Sequence, residues 1–229
     1  MQEIVLSLLA AIAAIVLHEV AHGYAALALG DNTAQRLGRL TLNPIAHIDR
    51  VGTLIIPGVL LVAQSIFGGN FMFGWAKPVP VDPRHFPNPR RGMMFVAAAG
   101  PAMNFALAWL TALALHAAPD PATTLGELVV DFAYPFMRFN LLLGLFNLLP
   151  IPPLDGGRIM VGLLPLPLAI AWSRLEPIGI LIVVGLLFLL PMLLRDFGIP
   201  FDPVMSTIWR IIHWALDQLP LPDGRPFSV

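Results

Sequence analysis

His18 and His22 stand four residues apart in Ile15-Val16-Leu17-His18-Glu19-Val20-Ala21-His22-Gly23, with Glu19 directly after the first. On a helix, positions i and i+4 share a face, so one metal ion can take a ligand from each histidine. The glutamate between them can then accept a proton from a water that the metal activates. Charged and imidazole side chains are costly in hydrocarbon, and three within one turn of an apolar run mark a functional site by default. The pattern predicts zinc chemistry inside a membrane, with His18 and His22 as ligands and Glu19 as general base.

Two histidines leave a catalytic zinc one protein ligand short. The chain has no cysteine, so thiolate ligands, disulfides and a cysteine nucleophile are excluded, and the third ligand must be a carboxylate or another histidine. Asp155 is the best candidate. It lies in Phe146-Asn147-Leu148-Leu149-Pro150-Ile151-Pro152-Pro153-Leu154-Asp155-Gly156-Gly157-Arg158, at the end of an apolar run that three prolines force out of helical geometry. Taken alone, the segment reads equally well as a Pro-Asp-Gly turn at a membrane boundary. Topology has to decide.

The elements that position these residues are apolar helices. Of 229 residues 57% are hydrophobic and 12% charged, about half the charged fraction of a soluble domain, so the chain is expected to be a polytopic membrane protein in contact with the lipid bilayer. A net charge of −1 gives no reason to expect nucleic acid. Runs of spanning length fall at roughly 4–29, 93–117, 128–149 and 175–194. The first has no Lys or Arg ahead of it and continues into the histidine pair, so it reads as a spanning helix rather than a cleaved leader. Shorter runs at 51–67 and 159–172 are broken by Pro57-Gly58 and by Pro165 and Pro167. The stretch 203–219 alternates Trp209, Ile212 and Trp214 with Arg210, His213 and Asp217, which predicts a helix lying on the membrane surface. The expected fold is an all-α bundle of about five to six transmembrane helices, with a small membrane-associated β or extended region after the first helix. It forms a single domain over 1–229, with a core at about 4–160 and C-terminal helices at 161–229.

Basic residues cluster in 30–50 (Arg36, Arg39, Arg50) and 77–92 (Lys77, Arg84, Arg90, Arg91), while the 116–127 loop has none. Short cytoplasmic loops are enriched in Lys and Arg, so both basic segments are expected in the cytoplasm of a cell whose inner membrane holds the chain. Residues 51–79 then enter and leave on one side, beside the site. Non-helical backbone is tolerated at that depth only under protein or along a wet cavity. With this path, 128–149 runs inward and brings Asp155 to the cytoplasmic leaflet that holds His18 and His22.

At this point the chain resembles the site-2 protease family of intramembrane zinc metalloproteases in its compact bacterial and archaeal form. The resemblance rests on HEVAHG at 18–23, GRLTLNP at 38–44, GWAKPVP at 74–80, AGPAMN at 99–104 and FNLLPIPPLDGG at 146–157. It implies a zinc-dependent endopeptidase with His18, His22 and Asp155 on the metal and Glu19 as catalytic acid and base. It also implies that Asn147 helps hold the substrate or its oxyanion. Substrates would be single-span membrane proteins, cut in or near their membrane segments, and the 71–80 stretch would be a β region where an unwound substrate adds as a strand. The chain departs from larger relatives in having no inserted peptide-binding domain and no C-terminal nucleotide-sensing domain.

Other polar residues read as structural. Asn140 suits helix packing, and Asn104 suits packing or the site equally. Arg138 is expected to face the bundle interior or to snorkel, with Asp131 two turns away as a partner, and His47, His85, His116 and His213 are expected on the surface. Two competing functions use the same motif. A metal-ion transporter would need ligands recurring along a path and paired inverted halves, which the sequence lacks. A non-catalytic relative that binds membrane helices would have no need of Glu19.

Overall fold

A computed structural model describes residues 1–67, 74–199 and 201–219. The chain is an all-α membrane protein. Among the described residues, four helices are long and apolar enough to cross a bilayer: α1 (Gln2–Ala28), then the helix that opens at Pro89, the one spanning Thr124–Asn147, and Glu176–Arg195. Between α1 and α3 (Pro89–Ala114), the helix that opens at Pro89, lies α2 (Ile56–Phe67), entered through a wide turn at Arg50–Ile55; Thr124–Asn147 is α4. The sequence-derived break at Pro165 separates α5 (Asp155–Leu163) from α6 (Leu166–Ser173). The fourth span is α7 (Glu176–Arg195), followed by α8 (Pro203–Gln218).

Local chemistry sets the helix starts. The Asn88 side chain accepts from Arg91 N with Pro89 at the first helical position, and Asp202 caps Met205 N with Pro203 in the same place. Both pairs satisfy donors that a helix start leaves free, and the proline forfeits only an N–H that had no partner. Thr123 caps α4 through Gly126 N.

The bundle is built from stripes of small residues at four-residue spacing. On α1 the buried stripe is Ala10, Ala14, His18, His22 and Ala26; on α3 it is Val96, Gly100, Asn104, Ala108 and Ala112. Small side chains let helices approach closely, which is the main source of packing energy where lipid is as apolar as the core. The two stripes meet, α4 closes a three-helix group with them, and α5 packs along α3. Each stripe is therefore core at one end and site in the middle.

Several expectations change here. No described residue forms a β-strand; the region after α1 is an extended stretch from Gly74, and the 71–73 part of the expected strand lies outside the described residues. That stretch does return to the level at which α2 begins, since Trp75 N donates to Gly52 O at 3.1 Å and Lys77 N to His47 O at 2.8 Å. The short apolar helix Arg50–Val62 falls below spanning length. Helix α8 forms, but its Ile208, Ile212 and Leu216 pack against Ala112, Leu115, Ala133, Met137 and Leu141, so that face meets protein rather than lipid. Its Trp209 ring lies 5.6 Å beneath the Arg138 guanidinium, a cation–π partner in place of the expected Asp131. His116 and His213 are exposed as expected, whereas His47 is buried and donates to Thr41 O at 2.9 Å.

Just past α1, Asp31 is fully buried and gathers Thr33, Asp82 N and His85 Nδ1. Burial works against its charge, but the donors from Thr33, Asp82 and His85 outweigh it and hold the carboxyl below its ordinary value. This cluster ties 82–85 to the end of α1, and His85, exposed as expected, is part of it.

Candidate active site

The two α1 histidines are aimed by their neighbours. His22 Nδ1 lies 2.7 Å from the Val96 carbonyl, which only accepts, so that nitrogen carries the proton. A longer relay settles His18. Asn140 Nδ2 donates to Phe136 O at 2.8 Å, so Asn140 Oδ1 accepts from Asn104 Nδ2 at 2.8 Å. Asn104 then presents Oδ1 to His18 Nδ1 at 2.6 Å, and His18 must donate. One backbone carbonyl thus dictates, through two amides, which nitrogen of His18 is protonated. In the neutral rings both Nε2 atoms are bare lone pairs.

Asp155 arrives from the other side. Pro150, Pro152 and Pro153 end α4, and the chain turns so that Asp155 opens α5, where it is 7% exposed. Gly100 makes room for the meeting: a Cβ there would lie 2.5 Å from His22 and 2.6 Å from His18. The three donor atoms form a triangle, with His18 Nε2 and His22 Nε2 3.0 Å apart and Asp155 Oδ2 at 3.2 and 3.3 Å from them. Asp155 Oδ2 is buried without a hydrogen-bond partner.

Three lone pairs converging in a buried space with no proton to share repel one another, unless a cation sits among them. A tetrahedral zinc with bonds of about 2.0–2.1 Å keeps its ligand atoms about 3.3–3.4 Å apart, close to the edges of this triangle. The donor set therefore fits zinc. Among the described residues it is the one group of three or more His, Asp or Glu donors that can hold a metal.

Glu19, half-buried, accepts from Val79 N through Oε2 at 2.9 Å. Asn147 Nδ2 donates to Leu143 O of its own helix at 3.0 Å. The residues that sequence reasoning undervalued are Asn104 and Asn140, both fully buried. The usable signal was the position of Asn104, four residues after a glycine on an otherwise apolar face, one helix away from the histidines.

Comparison with known proteins agrees with this picture. Residues 116–190 match the model of peptidase family M50. A Bacillus subtilis protein named "Putative zinc metalloprotease YwhC" is 39% identical over 180 residues, 77% of this chain and 76% of the relative. The chain belongs to peptidase family M50, the site-2 proteases. A second relative, "Putative zinc metalloprotease Rip2" of Mycolicibacterium smegmatis, is 32% identical over 201 residues, covering 88% of this chain and 69% of the relative. No solved structure gives a significant match. The M50 match covers the Asp155 half of the site; the relatives extend the likeness over most of the chain, which is a metallopeptidase.

Proposed function

We propose that the chain is a zinc-dependent intramembrane endopeptidase that cuts single-span membrane proteins in or near their membrane segments. The observation that carries this reading is the triangle of His18 Nε2, His22 Nε2 and Asp155 Oδ2, aimed by protonated Nδ1 atoms and set between spanning helices. His18, His22 and Asp155 would hold the metal, and zinc bound there supplies Lewis acidity that brings the pKa of a water from 15.7 to about 7. Glu19, one residue along α1, would take that water's proton and return it to the leaving amine. Asn147 would serve the oxyanion after turning its amide away from Leu143 O, and loss of one such donor typically costs about 2.7–4 kcal/mol. The active site would face the cytoplasmic leaflet of the cell membrane, and the short helix Arg50–Val62, with the following extended stretch, would form the re-entrant wall of a bundle of five to six membrane segments.

The test is Glu19→Gln beside Asp155→Ala. Glu19→Gln should keep about one zinc per chain and lose cleavage of a single-span substrate, because the amide preserves shape without the basic oxygen. Asp155→Ala should lose the metal, since a three-ligand site seldom survives removal of one ligand. Intact proteolysis in Glu19→Gln, or full zinc in Asp155→Ala, would end this assignment.

A further inference from the structure

Pro78-Val79-Pro80 contains one amide N–H, because neither proline has one. That donor is spent on the carboxylate of Glu19, with Val79 N 2.9 Å from Oε2. The side chain of Val79 is buried against α1 at Gly23, one turn beyond Glu19, where a Cβ would come within 3.0 Å of Val79 Cγ1. The segment therefore lies along the Glu19 and Gly23 face of the helix. It is also anchored upstream. Trp75 N and Lys77 N donate to Gly52 O and His47 O, Thr53 Oγ1 donates to Trp75 O at 2.8 Å, and Arg39 Nη2 donates to Lys77 O at 3.0 Å.

We propose that residues 75–80 are a positioning strap for the general base: the Val79 N–H holds one oxygen of Glu19 in place and leaves the other to receive the water's proton. The inference rests on the peptidase reading of the site. Two features favour it over a segment that serves only to receive a substrate strand. The N–H groups of Trp75, Lys77 and Val79 are all committed to the protein, and positions 78 and 80 have none to give. Among the described residues, Ala76 alone in 75–80 retains an N–H not engaged with protein, too little for a ladder. The prolines also restrict Val79 to extended backbone, so its N–H is aimed before any substrate arrives.

The experiment uses the zinc-loaded full chain in lipid vesicles with a single-span substrate. Val79→Pro removes the donor and keeps an extended backbone, while Val79→Ala keeps the donor and trims the side chain. Val79→Pro should lower kcat by about tenfold or more with KM and zinc content unchanged, whereas Val79→Ala should stay within about threefold of wild type. A raised KM at unchanged kcat would make the segment a substrate dock, and a raised kcat would make it a latch; either overturns the proposal. A second readout does not depend on catalysis. Glu19→Ala should speed hydrogen exchange at the Val79 amide, the one exchangeable amide of 78–80, by about tenfold or more and leave Lys77 unchanged. Equal exchange at Val79 in both proteins would overturn the strap even if Val79→Pro does not fold. Failure of the wild type to cleave any substrate would instead defeat the peptidase reading, and the exchange measurement would still decide the strap.

Discussion

Asn140 touches neither histidine, yet it decides which way Asn104 presents its amide. Replacing it with leucine, branched in the same way and unable to accept, frees Asn104 to turn its NH2 toward His18 and move the imidazole proton onto the metal-facing nitrogen. Partners of this kind typically account for 10- to 100-fold in metal affinity. Asn140→Leu and Asn104→Leu are therefore each expected to weaken zinc binding by about that factor, measured by competition with a chromogenic chelator. The double variant should be little worse than Asn104→Leu, because the two residues act in series. Additive losses would mean that each amide serves packing on its own.

At the scale of elements, the site depends on how closely α3 approaches α1. Gly100→Ala sets a methyl against both imidazole rings, and overpacking of a tight contact costs about 1–3 kcal/mol. The variant should lose zinc while its helix content, followed by circular dichroism, is retained. A second element-scale contact ties the 82–85 turn to the end of α1 through Asp31. Its carboxyl is more acidic folded than unfolded, where its value is 3.8. The stabilisation is therefore fully present above about pH 4 and is lost as pH falls through the lower folded value. Asp31→Asn should lower the thermal midpoint at neutral pH, by the equivalent of about 1–3 kcal/mol for a disrupted buried acceptor. The gap to wild type should close as both are taken below pH 3.8. A gap that persists unchanged into acid would show that the charge of Asp31 contributes nothing.

For the whole molecule, the prediction concerns sidedness. The contacts of Trp75 with Gly52 and of Lys77 with His47 bring the two ends of the 50–77 excursion together, and the Asp31 cluster sets 82–85 at the same end of α1. Ala118 lies beyond the far end of α3. Single cysteines at Arg50 and Arg84, in a chain without cysteine, should both be protected from an impermeant thiol reagent on intact cells. One at Ala118 should label. Labelling at Arg50 but not Arg84 would make the Arg50–Val62 helix a true crossing and would contradict the joined ends.

Much of this protein is legible in its residues taken singly. The four spans appear as apolar runs because a bilayer demands about twenty such residues in a row. His18, Glu19 and His22 appear because helical periodicity is local, so spacing alone puts both rings on one face. Asp155 could be nominated from its prolines but not placed, since a Pro-Asp-Gly turn looks the same whether or not it meets a metal. Its arrival within 3.3 Å of both histidines depends on α1 and α3 packing through small-residue stripes, a contact between residues more than 70 positions apart. The same distance hid the roles of Asn104 and Asn140, which read as packing amides until Phe136 O and His18 supply the two ends of their chain. It also hid the fate of α8, whose amphipathic pattern suits a lipid surface and a protein groove alike. Periodicity states that a face is apolar; only the tertiary structure decides what covers it.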